Sequence, residues 1–187
     1  MSGLNTVQPI RNKKHIEMLK KELTGRDRLL FVLGINVALR ISDLIQLKIG
    51  DLKGKNHIIV RERKTGKGRR IKLNKSVLNE MNKITGDNEE YLFPSRKRDK
   101  EGNVKPISRQ QAYNIINGAV KKLGLLDEIG LVGTHTLRKT LGYHAYKNGI
   151  DLSQLQAMFG HSSQAVTLRY IGSTDDDIDN IYETTCL

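Results

Sequence analysis

Six side chains of types that act on phosphate follow one another along this chain: Arg40, Lys64, His135, Arg138, His161 and Tyr170. His135 and Arg138 stand three positions apart in Thr134-His135-Thr136-Leu137-Arg138-Lys139-Thr140, so on a helix they share a face. A guanidinium offers a planar fork of donors to two oxygens, and an imidazole takes or gives a proton near neutral pH. Alone, such a pair arises by chance on many helices. Arg40 falls between a buried helix and a helix start, where anions are favoured. It reads equally well as a structural arginine paired with Asp43. Lys64 sits on a Gly-bearing turn, where it either reaches into a groove or stays exposed, and Lys67 could serve the same purpose. His161 lies in Met158-Phe159-Gly160-His161-Ser162-Ser163, and Tyr170 follows nine residues later in Thr167-Leu168-Arg169-Tyr170. A single tyrosine is ordinarily a packed core residue with a satisfied hydroxyl.

The elements that must position these groups can be read from periodicity and caps. Residues 1–10 read as an irregular lead-in. Asn12 caps a helix with apolar positions Ile16, Leu19 and Leu23, ended by Gly25. A second, largely buried helix covers about 26–38. Ser42 stands where an N-cap belongs, ahead of a short helix that includes Asp43. His57–Arg63 and Ile71–Leu73 read as two strands of a hairpin, joined by the cationic turn Lys64–Arg70. Asn74 or Ser76 caps a helix to about Thr85, and Ser108 caps one to about Leu123. Residues 95–107 read as a loop, either a solvated surface or a contact for a DNA backbone. Helices follow near 135–148, 151–159 and 163–171, with Gly160 ending one and Ser162 or Ser163 capping the next. A short tail helix spans Asp175 to Glu183. The sum is about eight helices and one small sheet, a mainly helical α+β domain.

Composition supports a polyanionic partner. The 187 residues hold 32 Lys+Arg against 20 Asp+Glu, a formal net charge of +12. A domain this basic gains affinity for phosphates by releasing condensed counterions. The length fits one domain with a real core. A basic amphipathic helix with large apolar anchors, which membrane-surface binding requires, is not evident, and no apolar run reaches the length of a span. The single cysteine, Cys186, excludes an intrachain disulfide. With no apolar signal-peptide core at the start, a cytoplasmic location is expected.

Each residue taken alone has a bland explanation; their order in one basic chain does not. Leu39-Arg40-Ile41-Ser42-Asp43-Leu44, Lys64-Thr65-Gly66, His135 through Thr140, Leu155 through Ser163, and Thr167 through Tyr170 together resemble the tyrosine recombinases of the phage integrase family. The resemblance runs from about residue 11 to about residue 175. It implies the catalytic-domain fold of that family and strand cleavage without metal, ATP or other cofactor. Tyr170 would attack the scissile phosphate, forming a 3′-phosphotyrosyl link and releasing a 5′-hydroxyl. Arg40 and Arg138 would clamp the non-bridging oxygens. His135 would be the general base, Lys64 the general acid, and His161 a donor to a phosphate oxygen that also helps place Tyr170. Asp43 would brace the site. A phenol with an ordinary pKa near 10 is a poor nucleophile, so the cationic pocket is expected to favour the phenolate. Tyr182, the other tyrosine near the C-terminus, stands among acids that would repel DNA.

Contacts to DNA are expected from Lys67, Arg69 and Arg70 on the turn, from Arg96, Lys97 and Arg98, and from Arg109 and Lys139. The partner implied is double-stranded DNA, with self-association to a tetramer on two sites and residues 176–187 docking on a neighbour or fraying. The start of the resemblance leaves no room for the N-terminal helical domain typical of the family. A short single-domain member is therefore expected, with an accessory protein able to supply the missing clamp. Two other readings share these residues: a DNA-binding module on the same fold, which a vacant catalytic position would favour, and a type IB topoisomerase.

Overall fold

The computed structural model describes residues 6–62, 66, 68–172 and 183. Lys64, Lys67, Cys186 and the tail positions Ile178, Ile181 and Tyr182 lie outside the described residues. Helix α1 (Lys13–Glu22) opens as expected on Asn12, whose side chain accepts from the Lys14 N–H at 2.8 Å. Helix α2 (Gly25–Val37) is the central element, buried at Leu29, Leu30, Phe31, Val32, Leu33, Ile35 and Val37. Gly25 thus opens α2 rather than merely closing α1. Two short helices follow, α3 (Ile41–Leu44) and α4 (Ile49–Leu52). Arg40, not Ser42, is the N-cap of α3, and Ser42 lies one residue inside it; no cap bond singles out either position.

Strands β1 (His57–Arg61) and β2 (Gly68–Lys72) form the expected antiparallel hairpin, with His57 opposite Lys72 and Arg61 opposite Gly68. Helix α5 (Lys75–Met81) is capped by Asn74, which accepts from the Val77 N–H at 3.1 Å. It stops short of Thr85. Residues 95–107, read as a loop, contain a second hairpin, β3 (Pro94–Arg98) against β4 (Val104–Pro106). Only Ser95 of these strands is buried. A two-stranded ribbon lying almost wholly in solvent leaves no apolar alternation to read. Its turn is set instead by Asp99, whose carboxylate accepts from the Asn103 N–H at 2.7 Å and the Glu101 N–H at 3.0 Å.

Helix α6 (Arg109–Lys122) starts on a reciprocal cap, Ser108 accepting from the Gln111 N–H and Gln111 from the Ser108 N–H. Helix α7 (Leu126–Ile129) is a single turn with no sequence signal. Helices α8 (Thr134–Lys147), α9 (Leu152–Phe159) and α10 (Gln164–Ile171) match the sequence reading closely. Asp151 caps α9 and Ser163 caps α10. The described residues thus hold ten helices and two two-stranded sheets, a mainly helical α+β fold.

Three apolar clusters hold these elements. The largest joins α2, α3, α4, the first hairpin and α5. A second joins α1, α2, α6 and α7, and includes Ile10 of the lead-in. That lead-in is irregular but anchored: the Gln8 N–H donates to the Leu131 carbonyl at 2.7 Å, and the Ile10 N–H donates to Thr140 Oγ1 at 2.9 Å. The third cluster is small, Ala38, Leu155, Phe159 and Ile171, with Tyr170 packed against it. It ties α9 and α10 to α8 through Gly142. A Cβ there would stand 2.6 Å from Phe159 Cζ and 2.7 Å from Ile171 Cγ2, so only glycine lets these helices come so close.

Candidate active site

The first turns of α8 bring His135 and Arg138 to one face, above the third apolar cluster. Arg138 is 3% exposed. Its Nη1 donates to the Ala38 carbonyl at 2.5 Å and its Nη2 to the Phe159 carbonyl at 2.9 Å, while the guanidinium lies 5.0 Å from the Phe159 ring centroid. Ala38 closes α2 in the left-handed conformation, φ 53° and ψ 23°, uncommon for a residue with a Cβ. Two helix ends therefore aim carbonyls at one arginine. Burial lowers the pKa of Arg138, but an arginine stays charged in a protein.

Tyr170 sits on the last turn of α10. Its hydroxyl lies 3.3 Å from His135 Nδ1 and feels the charges of Arg138 and Arg40. Its ring meets His161 at 4.8 Å between centroids and Phe159 at 5.2 Å. Burial raises the pKa of Tyr170, and the charges of Arg138 and Arg40 only partly oppose this. The expectation that the cationic pocket favours a phenolate is thus corrected for the DNA-free site, because desolvation of the oxyanion outweighs the two guanidiniums. His135 is pushed the other way. Partial burial, then the charges of Arg138, Lys139, Arg109 and Arg40, lower its pKa. At neutral pH it is an imidazole beside a phenol, a base next to an acid. His161 stacks on Phe159 at 5.3 Å and 27°, and its pKa too is lowered, by burial first and then by Arg138 and Arg40.

Arg40 reaches the same pocket from the segment that joins α2 to α3. Its Nη1 lies 2.5 Å from Glu62 Oε2, an ion pair the sequence reading did not foresee. Glu62, just past β1 and 5% exposed, also takes Arg69 Nη1 on its other oxygen at 3.0 Å. Sequence reasoning missed this carboxylate. The signal was present: Glu62 is an acid enclosed by cations in Arg61-Glu62-Arg63-Lys64. Asp43 is buried in α3 at 4% exposure.

Two expected DNA contacts stand elsewhere than on an open surface. Arg69 is half-buried and paired with Glu62. Lys139 is 7% exposed, its Nζ 5.3 Å from the Tyr170 ring centroid, because the helix turn that carries Arg138 carries it beneath the tyrosine. Arg70, Arg96, Lys97, Arg98 and Arg109 are exposed. Of the six residues chosen from sequence, five thus meet electrostatically in one pocket: Arg40, His135, Arg138, His161 and Tyr170. Among the described residues no group of three or more His, Cys, Asp or Glu side chains could hold a metal ion, and no helix is long and apolar enough to cross a membrane.

Comparison with known proteins decides the family. The sequence pattern described as "Phage integrase family" matches residues 10–177. The chain belongs to the phage integrase family. A probable integrase/recombinase, YoeC of Bacillus subtilis (strain 168), is 42% identical over 185 residues, which cover 96% of this chain and 97% of that protein. Tyrosine recombinase XerA of Pyrococcus horikoshii is 32% identical over 186 residues, 90% of this chain but 62% of that longer protein. Among solved structures, XerA recombinase superposes with a TM-score of 0.74 at 20% identity, over 100% of this chain and 68% of that one. XerH recombinase bound to its palindromic difH substrate superposes at 0.69 and 20%, over 96% and 54%. At these identities the structural likeness shows the fold, that of a tyrosine recombinase catalytic domain. Members of the phage integrase family such as this chain are enzymes of DNA strand cleavage and rejoining.

Proposed function

We propose that the chain recombines double-stranded DNA at specific sites, without metal or cofactor, through a covalent link at Tyr170. The observation that carries this is the Tyr170 hydroxyl, 3.3 Å from a neutral histidine base and in the field of the Arg138 guanidinium. His135 takes the phenolic proton as the Tyr170 oxygen bonds to phosphorus. Arg138 and Arg40 hold the non-bridging oxygens and stabilise the added negative charge. The bond to the 5′ oxygen breaks, and Lys64 supplies the proton that makes it a 5′-hydroxyl. The phosphodiester is conserved as a phosphotyrosyl ester, so a second 5′-hydroxyl can reverse the step without fuel. His161 donates to a phosphate oxygen and Asp43 braces the Arg40 segment.

The net charge of +12 suits a duplex partner. Residues 11–175 act as the catalytic domain, and 176–187 dock on a neighbouring protomer. Four copies act on two DNA sites, an accessory protein contributes to the clamp on DNA, and the enzyme works in the cytoplasm. A nicked suicide oligonucleotide carrying the cognate site tests the chemistry: a covalent adduct on a denaturing gel, lost in Tyr170→Phe, is expected. An adduct that persists in Tyr170→Phe refutes the assignment. Sedimentation with and without that DNA tests assembly, and a tetramer stable without DNA counts against it.

A further inference from the structure

A hydroxyl with one proton, that of Thr167, stands between the His161 ring and a backbone carbonyl. Thr167 lies in α10 one turn before Tyr170 and is fully enclosed, 0% exposed. Its Oγ1 donates to the Ser163 carbonyl at 3.1 Å and lies 3.1 Å from His161 Nδ1. A hydroxyl has one proton to donate and lone pairs to accept with. The Ser163 carbonyl can only accept, so a Thr167 hydroxyl that donates to it has no proton left for the imidazole. The other contact then needs its proton from the imidazole.

We propose that Thr167 is a positioning residue for strand cleavage, holding His161 with a proton on Nδ1 so that Nε2 is the nitrogen left for the DNA phosphate. The inference rests on the roles of Tyr170 and His161 given above. Its consequence is chemical. In a neutral ring with Nδ1–H, Nε2 carries a lone pair, which repels a phosphate oxygen. His161 can donate to phosphate only as an imidazolium, with a second proton on Nε2. The groups packed around it are Phe159 and Gln156 of α9, Arg138 of α8, Arg40 before α3, and Thr167 and Tyr170 of α10. Arg138 and Arg40 oppose that second proton, as does burial, so the DNA-free ring is neutral at neutral pH. An arriving phosphate reverses the local charge and draws the proton in. Thr167 thereby makes His161 a donor only when substrate is present.

The direct test is the tautomer. In the full chain labelled with ¹⁵N-histidine and free of DNA, long-range ¹H–¹⁵N spectra near neutral pH, assigned with His161→Gln, should show Nδ1 protonated and Nε2 bare. Thr167→Ser should keep that pattern, and Thr167→Val should lose it toward Nε2–H. A wild-type ring protonated on Nε2 overturns the proposal. The second readout is the rate of adduct formation on the suicide oligonucleotide as pH rises. The wild type should slow as the imidazolium is lost. Thr167→Val should be slower by about 10-fold at the acid end, the scale on which groups that orient a histidine act, and its decline should be flatter, since a neutral Nε2–H ring can still donate. Thr167→Ser should restore the wild-type profile. Parallel profiles for wild type and Thr167→Val overturn the proposal. Absence of any wild-type adduct would refute the Tyr170 assignment instead, and the spectra would still decide the tautomer.

Discussion

The pocket has two walls built on different physics. On the helical wall, His135, Arg138, His161 and Tyr170 are placed by packing: the His161 ring stacked on Phe159 and the Tyr170 ring tilted against it, a guanidinium clasped by two backbone carbonyls, helices closed on Gly142. On the hairpin wall, Arg40 and Arg69 are placed by charge, one on each oxygen of the buried Glu62. Packing fixes position whatever the salt. An ion pair fixes it only while both charges persist, and this one must accommodate a phosphate that competes with Glu62 for Arg40. The helical wall is suited to holding a nucleophile still; the hairpin wall is suited to exchanging one anion for another.

Removing one arginine from each wall should break the symmetry of their shared role. Arg138→Ala should slow adduct formation by on the order of 10³-fold, the upper range for loss of one charge-stabilising donor. It should also lower stability by about 2 kcal/mol, because the Ala38 and Phe159 carbonyls lose their buried donor. Arg40→Ala should slow the reaction by about 10²-fold, with a stability change near 1 kcal/mol or less, since Arg69 still holds Glu62. Single-turnover kinetics and thermal melts of both variants check this. Equal stability losses would erase the distinction between the walls.

Glu62→Gln sharpens the contrast further. Two guanidiniums lose the carboxylate that aligns them, while the surface facing DNA gains a net positive charge. Cleavage should fall by about 10-fold even as duplex affinity at low salt rises severalfold. Binding and cleavage measured on one oligonucleotide series separate the two, and a loss of affinity would mean Glu62 does not restrain the arginines as described.

The same split explains what could be read from sequence. The helical frame was legible because many of its determinants are local: Asn12, Asn74, Ser108 and Ser163 cap the helices that their types and spacing announce. His135 and Arg138 share a face by helical periodicity alone. The hairpin wall depends on contacts distant in sequence. Nothing local tells Arg40 to pair with Glu62, 22 positions on. Lys139 reads as a surface cation until α10 is laid over it, and β3 and β4 escape notice because solvent surrounds them.

Three histidines give the comparison a pH readout. His135, His144 and His161 all have pKa values below the ordinary 6.5, burial being the largest cause in each. With folded values depressed, the unfolded chain takes up protons first as pH falls. Their contribution is therefore intact above pH 6.5 and is lost progressively as pH drops through 6.5 and past the folded values. Melting temperatures measured downward from pH 7.5 should fall, and less steeply in a His135→Asn, His161→Asn double variant. A melt insensitive to pH across that window would show that the histidines are not held neutral by the packed wall.

Ala38 is where the two walls join, and the smallest expected effect is the most discriminating. Its carbonyl anchors Arg138, its chain leads within two residues to Arg40, and its φ of 53° is one that a Cβ disfavours. Left-handed backbone costs a residue with a Cβ about 1 kcal/mol, a strain glycine escapes. Ala38→Gly should raise the free energy of unfolding, read from denaturant titration, by less than that amount, because the extra entropy of an unfolded glycine offsets part of it. If the strained turn serves only to point the carbonyl, cleavage should be unchanged, because Arg138 still anchors it in the same place. A stabilised variant that cleaves more slowly would mean that the strain itself tunes how readily Arg138 turns from its carbonyl to a phosphate. The packed wall would then share the capacity for anion exchange assigned here to the hairpin alone.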